Sequence, residues 1–218
     1  MKKFYTDEQM SIQERFQSRE LAERVEETIV TDCLEDSHRD FIESMDFFFL
    51  STVTADGCPT VSYKGGSRGF VSIIDSSTIA FPNYDGNGMF LSMGNIQATN
   101  KIGILFIDFE TPNRLRLQCT ATIRADDPLV EKYPGANLIV RAHVNKVFIN
   151  CARYIHNYIR IKNSPYIPDR KGETPFPSWK RIDLVQDVLI AEDKRKVSDE
   201  GGVITMQEYI KKLEQGES

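Results

Sequence analysis

The 218-residue chain has no long apolar run and no excess of basic charge. No stretch approaches the ~20 consecutive apolar residues that a membrane-spanning helix needs, so the sequence predicts no membrane partner. Its first residues turn polar from Thr6 to Gln9, without the apolar region of a signal peptide, which favours a cytoplasmic protein. The formal net charge of -5 argues against a nucleic-acid partner, because neutralising phosphates requires a basic face.

Cysteines and histidines are few, and neither shows the spacing of a metal site. No two cysteines form a C-x-x-C pair and no two histidines are spaced H-x-x-x-H, so we expect no bound metal and reduced thiols. No phosphate-binding loop ending in Lys is present. The residues concerned are Cys33, Cys58, Cys119, Cys151, His38, His143 and His156.

Short segments rich in aromatic and β-branched residues, separated by turn residues, predict a mainly β protein with peripheral helices. We expect three regions: an N-terminal arm with helices over residues 1–45, a barrel domain over 46–190, and a charged tail with a helix over 191–218. Strands are predicted at 47–54, 60–64, 70–74, 78–81, 101–109, 114–124 and 136–150. Residues 1–17 are predicted to be a loose arm, and helices are predicted at 19–30, 37–45, 89–97, 128–133, 151–161, 183–191 and 205–213.

Polar residues capable of ligand binding follow the second predicted strand. Ser62 and Lys64 alternate out of it on one face and are followed at once by Gly65 and Gly66. A hydroxyl and an ammonium on one face can bind a phosphate or a carbonyl, and glycines let a backbone approach a ligand closely. The alternative is a solvent-exposed hairpin with a flexible loop.

Two further polar groups lie elsewhere in the chain. Gly86 and Asn87 directly precede the helix predicted to begin at Met89, where free N–H groups and the helix dipole favour an anion; alternatively, Asn87 is simply an N-cap. Arg114 and Arg116 share one face of a strand whose other face is apolar. They could reach a phosphate or a ring edge, or solvate the surface.

Together the three groups fit a phosphorylated, planar and partly apolar ligand better than any one of them does. A flavin requires cations and N–H donors for its phosphate, polar groups for its pyrimidine edge and an apolar wall for its ring. The sequence therefore favours a flavin site.

The order and spacing of ten short segments resemble the pyridoxamine 5′-phosphate oxidase-like flavoproteins, and among them a bacterial branch of flavin-nucleotide-binding proteins. The resemblance covers about residues 46–187. The segments are FLSTV (49–53), DGCP (56–59), VSYKGG (61–66), GFV (69–71), FPNYDGN (81–87), GNI (94–96), GILFIDF (103–109), NRLRL (113–117), FINC (148–151) and WK (179–180).

The resemblance implies a six-stranded antiparallel split β-barrel and a homodimer with FMN at the subunit interface. It implies that the strand with Ser62 and Lys64 lines the flavin, that the arginines reach it from the partner subunit, and that a C-terminal piece closes over it. The cofactor-binding residues it implies are Ser62, Lys64, Gly65, Pro82, Asn83, Gly86, Asn87, Asn95, Arg114, Arg116, Trp179 and Lys180.

The chain departs from the family pattern at two positions. The branch commonly has Arg directly after the Gly-Asn pair, but Gly88 stands here, so the phosphate charge must come from Lys64, Arg68 or an interface arginine. The oxidases themselves carry Arg-x-His near the C-terminus, whereas here Arg181 is followed two residues later by Asp183. A carboxylate there would repel a substrate phosphate.

The leading hypothesis is an FMN-dependent oxidoreductase acting on a small molecule that the sequence does not identify. One alternative is a non-catalytic flavin or haem-binding protein, with His143 or His156 as a candidate axial ligand. The other is pyridoxamine 5′-phosphate oxidase itself, which Asp183 disfavours.

Overall fold

The computed structural model describes residues 4–216 and divides the chain into two compact units, Met1–Gly172 and Glu173–Ser218. Among the described residues, no helix has both the length and the apolar character needed to cross a membrane. The three predicted regions divide the chain differently and stay a prediction.

A seven-stranded antiparallel sheet dominates the first unit, which agrees with the predicted mainly β class. Its spatial order is β2-β1-β5-β6-β7-β4-β3. The strands are β1 (Phe47–Val53), β2 (Pro59–Gly65), β3 (Ser72–Ile73), β4 (Thr78–Tyr84), β5 (Lys101–Asp108), β6 (Asn113–Arg124) and β7 (Ala136–Asn150).

The sheet corrects the predicted six-stranded barrel in two respects. The resemblance implies six strands, but the sheet has a seventh, the two-residue edge strand β3, which lies within the strand predicted from the pattern at 70–74. In addition, the described strands do not close a ring: β2 pairs only with β1 and β3 only with β4, so the two edges remain open. This open antiparallel sheet is consistent with a split barrel.

Alternating burial explains how the sheet forms a core. In β1, Phe48, Leu50 and Thr52 are buried while their neighbours are half-buried, which is the two-residue period of a strand with one face inside. Phe48 lies at the centre, with its ring centroid 4.9 Å from that of Phe81 and 5.4 Å from that of Phe106. These aromatic contacts join β1, β4 and β5 within one core.

The described residues form six α-helices, of which α1–α4 belong to the first unit and α5 and α6 to the second. In the first unit, α4 packs against the interior, burying Met93 and Ile96. The helices are α1 (Asp7–Arg15), α2 (Arg19–Ile29), α3 (Asp36–Ser44), α4 (Leu91–Thr99), α5 (Ala191–Asp199) and α6 (Met206–Gln215), with 3₁₀ helices at Pro128–Lys132, Ser178–Arg181 and Asp183–Val185.

Three of the predicted elements differ in kind from those of the structure. The helix predicted over 183–191 is replaced by a 3₁₀ helix at Asp183–Val185, and α5 begins only at Ala191. Residues 7–15 form helix α1 rather than part of a loose arm, because Thr6 and Gln9 make a reciprocal capping box at its start. Residues 151–161 form no helix: Tyr154 has a φ of 70°, and the segment continues as an extended loop. By contrast, the capping box predicted at Thr205 and Glu208 does open α6.

Candidate functional site

A cleft of about 660 Å³ lies between the two ends of the sheet. One wall comes from β2 and the other from β4, strands that are far apart in the sheet order, and the N-terminal turn of α4 lies in the same cleft. This volume is in the range of about 300–1,000 Å³ typical of small-molecule sites. The open edge of the sheet therefore forms a pocket large enough for a nucleotide-sized ligand.

Ser62 and Lys64 both line the cleft, on the β2 wall. Their strand partners are Leu50 and Phe48, two core residues, so both side chains lie on the inner face of the sheet. The Ser62 and Ser92 hydroxyl oxygens are 3.1 Å apart, a hydrogen bond that ties β2 to α4. The interior face of β2 is thus polar where the sheet opens.

Burial lowers the pKa of the Lys64 ammonium, because the charged form loses hydration. Lys64 makes no ion pair or side-chain hydrogen bond within residues 4–216. A half-buried cation without an anion of its own is costly in a folded protein. Lys64 thus places in the cleft a positive charge that a bound anion would neutralise.

The sequence suggested that the glycines after Lys64 leave room for a ligand, but the atoms nearest to them belong to protein side chains. A Cβ added to Gly66 would lie 2.5 Å from Phe70 Cγ, and one added to Gly65 would lie 2.9 Å from Tyr63 Cε1. Gly65 and Gly66 line the cleft, but it is protein packing rather than a ligand that requires a missing side chain at Gly66.

The prediction that a helix starts directly after Gly86 and Asn87 is wrong. Gly88 and Phe90 both have left-handed backbone conformations, with φ of 76° and 49°, so the helix begins only at Leu91. The Asn87 carboxamide oxygen accepts a hydrogen bond from Met89 N at 3.1 Å, forming a local turn instead of a cap.

The first turn of α4 still presents backbone donors to the cleft. Its N-cap is Phe90, which has no side-chain acceptor, so the N–H groups at the start of the helix receive no capping bond. Residues Phe90 to Met93 line the cleft. The helix start is therefore available to an anion.

On the opposite wall, β4 continues through Pro82 to Tyr84, three residues further than predicted. A proline fits there because β3 pairs only with Ile79 and Ala80, leaving the rest of that edge without a neighbouring strand. The Asn83 amide nitrogen donates to Asn137 Oδ1 at 2.9 Å. This bond fixes an amide group at the cleft wall.

A segment that the sequence did not single out forms another wall. Residues 157–167, which we term the strap, contribute Arg160, Lys162 and Asn163 to the cleft lining. The closest local signal is the Arg-x-Lys pattern ahead of the proline-rich stretch, and it does not indicate where the strap packs.

Specific contacts hold the strap in place. Tyr158 N donates to Phe109 O at 3.0 Å, and Asn157 Nδ2 donates to Glu110 O at 3.1 Å, joining the strap to the turn between β5 and β6. The Arg160 guanidinium makes a two-pronged ion pair with Asp46, with Nη2 3.0 Å from Oδ1. The strap is therefore pinned to the residue directly before β1.

Seven of the predicted cofactor-binding residues line the cleft together: Ser62, Lys64, Gly65, Pro82, Asn83, Gly86 and Asn87. Asn95 is not among the described lining residues; it is buried beside the core, and its amide nitrogen donates to Thr52 Oγ1 at 3.0 Å. Arg68, considered as a phosphate ligand, uses its Nε to donate to Ser44 O at 2.8 Å.

Arg114 and Arg116 project from the outer face of the sheet. Arg116 is opposite Leu105, which is itself opposite Phe49, so this row lies on the face away from the core. Arg114 Nε and Asn150 Oδ1 are buried without a hydrogen-bond partner among the described residues, and the two residues face each other across β6 and β7. Two unpartnered polar atoms indicate a place that a further molecule would complete.

Trp179 and Lys180 belong to the C-terminal unit, Glu173–Ser218. Both are half-buried there, and Lys180 Nζ is 3.0 Å from Asp193 Oδ2 in an ion pair. Their predicted role in closing over a cofactor stays a prediction.

Comparison with known proteins gives one family and several distant likenesses. No curated protein matches the sequence significantly. Similar solved structures include HupZ of Group A Streptococcus (20% identity, 57% of this chain and 98% of that one, TM-score 0.45), an FMN-binding protein of Syntrophomonas wolfei (15%, 64% and 97%, 0.41) and the haem storage protein HutZ of Vibrio cholerae (18%, 53% and 94%, 0.38). With TM-scores below 0.5, these likenesses support no functional conclusion.

The family model described as pyridoxamine 5′-phosphate oxidase matches residues 34–171, which include all seven strands and the whole lining of the cleft. The chain therefore belongs to the pyridoxamine 5′-phosphate oxidase family.

Proposed function

We propose that this protein binds FMN in the cleft between β2 and β4 and acts as an FMN-dependent oxidoreductase on a small molecule. The observation that carries the proposal is the Lys64 ammonium, which lines the cleft half-buried and unpaired within residues 4–216. Such a group suits a ligand that brings its own negative charge.

The other walls suit the remaining parts of a flavin nucleotide. The uncapped start of α4 offers N–H donors to an anion. The Asn83 amide nitrogen is engaged by Asn137 and Tyr84, and its carboxamide oxygen remains as an acceptor for the edge of a heterocycle. Phe47, Phe70 and Met93 add apolar surface against which a planar ring can pack. The donor set and the apolar lining fit FMN.

When bound, FMN supplies the hydride and electron transfer, so the protein needs no nucleophile of its own. The residues of this chain bind and orient the ligand. Lys64 neutralises negative charge, and the hydrogen bond between Ser62 and Ser92 holds β2 and α4 at a fixed separation. The substrate would enter from the open side of the sheet.

The alternatives receive less support. His143 and His156 are exposed and are not among the described cleft-lining residues, so neither is positioned as a haem ligand in the cleft. Arg181, the candidate substrate-binding arginine of a true oxidase, uses its Nε to donate to Gly202 O at 2.8 Å. Asp183 in place of histidine further disfavours the vitamin B6 reaction.

We also propose that the protein is a homodimer in which Arg114 contributes to the FMN site of the partner subunit. The unpartnered Nε of Arg114, on the outer face of β6, supports this assignment. Arg114→Ala should then weaken FMN binding far more than Arg195→Ala, which changes an exposed arginine of α5.

Titration of the purified protein with FMN, followed by flavin absorbance and fluorescence, tests the proposal. We expect saturable binding, with the dissociation constant raised about tenfold or more in Lys64→Met, since a charge-assisted contact is lost. Lys101→Met is the matched control, because Lys101 is an exposed strand lysine outside the described cleft lining. A protein that takes up no FMN, or that shows a Soret band instead, would contradict the assignment.

Reduction of the loaded protein separates catalysis from mere binding. An oxidoreductase should lose its flavin absorbance when a suitable donor such as NAD(P)H is added anaerobically and regain it in air. FMN that binds tightly but is reduced by none of a panel of nicotinamide and amine donors would favour a non-catalytic flavin-binding protein.

A further inference from the structure

The segment that leads into α4 brings no cation to the cleft, because residues 85–93 contain neither lysine nor arginine. A ligand phosphate at this end of the cleft therefore needs positive charge from another part of the chain.

Among the described residues, three cations line the cleft, Lys64, Arg160 and Lys162, together with the carboxylates of Asp46 and Asp85. Arg160 is neutralised by its two-pronged ion pair with Asp46, and its Nη1 also donates to Asn163 Oδ1 at 3.3 Å. Lys162 is exposed and makes no ion pair or side-chain hydrogen bond with any described residue. Lys64 and Lys162 are thus the two cations whose charge is free for a ligand.

The anchor of the strap explains why Lys162 lines the same cleft as Lys64. The Asp46 carboxylate binds Arg160, while the Asp46 carbonyl accepts a hydrogen bond from Gly66 N at 2.9 Å, two residues beyond Lys64. From Arg160 to Lys162 the chain can extend at most about 7 Å. One aspartate therefore ties together the end of β2 and the part of the strap that carries Lys162.

We propose that the strap contributes to phosphate recognition: Lys162, positioned by the Asp46–Arg160 ion pair, supplies the second cation, besides Lys64, for the phosphate of the bound nucleotide. This inference rests on the proposed function and names which residues of this chain would recognise the phosphate. Arg160 is a positioning residue in this scheme, and Lys162 is the one that touches the ligand.

Comparing FMN with riboflavin isolates the phosphate contact, because the two ligands share the ring and ribityl chain. We expect Lys162→Ala to raise the dissociation constant for FMN about tenfold or more while leaving that for riboflavin unchanged. Lys162→Arg should keep most of the preference for FMN over riboflavin. The matched control is Lys171→Ala, a nearby exposed lysine that is not among the described cleft-lining residues.

The anchor is tested by Asp46→Asn combined with Arg160→Gln, which removes the ion pair without changing net charge. This double variant should lower the ratio of riboflavin to FMN dissociation constants. Adding Lys162→Ala to this double variant should then raise the dissociation constant for FMN only slightly further, since Lys162 is already displaced. Full additivity of the two changes would show that Arg160 does not act through Lys162.

The outcomes separate the two proposals. If the wild-type protein binds FMN tightly and Lys162→Ala weakens FMN and riboflavin equally, or weakens neither, the strap assignment is overturned while the FMN site stands. If the wild-type protein binds neither flavin, both proposals are overturned.

Discussion

Lys64 shows, at the scale of a single residue, how a binding site can oppose stability. Its ammonium is partly desolvated on the inner face of β2, and burial lowers its pKa. The unfolded chain therefore holds this proton more tightly than the folded chain does. The contribution of Lys64 to stability is unfavourable while the group is charged, and it improves as the pH rises through the lowered pKa towards the ordinary value of about 10.4.

Replacing Lys64 with methionine keeps the length of the side chain and removes the charge. In the ligand-free protein, Lys64→Met should raise the thermal midpoint at pH 7, and the difference from wild type should shrink as the pH approaches 10. Thermal unfolding of both proteins between pH 7 and 10, with Lys101→Met as the control, measures this effect. If the thermal midpoints of wild type and Lys64→Met differed by the same amount at every pH, the charge of Lys64 would have no energetic cost.

Two glycines in different elements of the first unit should respond oppositely to the same substitution. Gly66→Ala should lower the free energy of unfolding by about 1–3 kcal/mol, because the added methyl group would overlap the buried Phe70 ring. Gly94→Ala should raise it by about 0.5–1 kcal/mol, since Gly94 is exposed in the interior of α4 and a Cβ there meets nothing within 4 Å. Urea unfolding measures both changes, and a stabilised Gly66→Ala would contradict the packing described for β2.

Local patterns in the sequence were sufficient for most elements. Alternation predicted β6 and β7 almost to the residue, and the Thr205–Glu208 box predicted α6, because each depends on residues close together in the chain. Periodicity also predicted α2, but it did not reveal that Leu21 would be 67% exposed. Burial of a helix face depends on distant partners, which a local pattern does not contain.

The candidate site, like the fold, was predictable only where it depends on residues close together in the chain. Ser62 and Lys64 could be found because they alternate within one strand beside a glycine pair. The contribution of the strap could not be found, since it depends on Arg160 reaching Asp46, 114 residues earlier in the chain. The helix predicted over 151–161 is wrong for a related reason. The spacing of Ile155 and Tyr158 resembles that of a helical face, but the segment is extended, and Tyr158 contacts Phe109, which is distant in the sequence.

At the scale of the whole molecule, the dimer proposed above would use the outer face of the sheet. Tyr63 on β2 is 62% exposed, and its row continues through the half-buried Phe49 and Leu105 to Arg116, while Val61, 65% exposed, lies two residues away on the same face of β2. This apolar surface and the two unpartnered buried polar atoms on β6 and β7 support the proposed interface.

We therefore expect the protein to sediment at twice its chain mass of 24.9 kDa. Val61→Asp should shift it towards the monomer, because a carboxylate would be buried in the apolar contact. Ile74→Asp serves as the control, since Ile74 is an exposed aliphatic residue beyond β3 at the opposite edge of the sheet. Sedimentation velocity over a range of concentrations measures both, and a wild-type protein that remains monomeric would contradict the proposed dimer.

The order of strands has a consequence for when the cleft can exist during folding. Three of the strand pairs join strands that follow each other in the sequence: β1 with β2, β5 with β6, and β6 with β7. In contrast, β4 pairs with the distant β7, so that Thr78 lies opposite His143. Distant pairings form late, because a long loop must close first. Since β4 forms one wall of the cleft, a ligand there can bind only a nearly complete sheet, and it should slow unfolding without accelerating refolding.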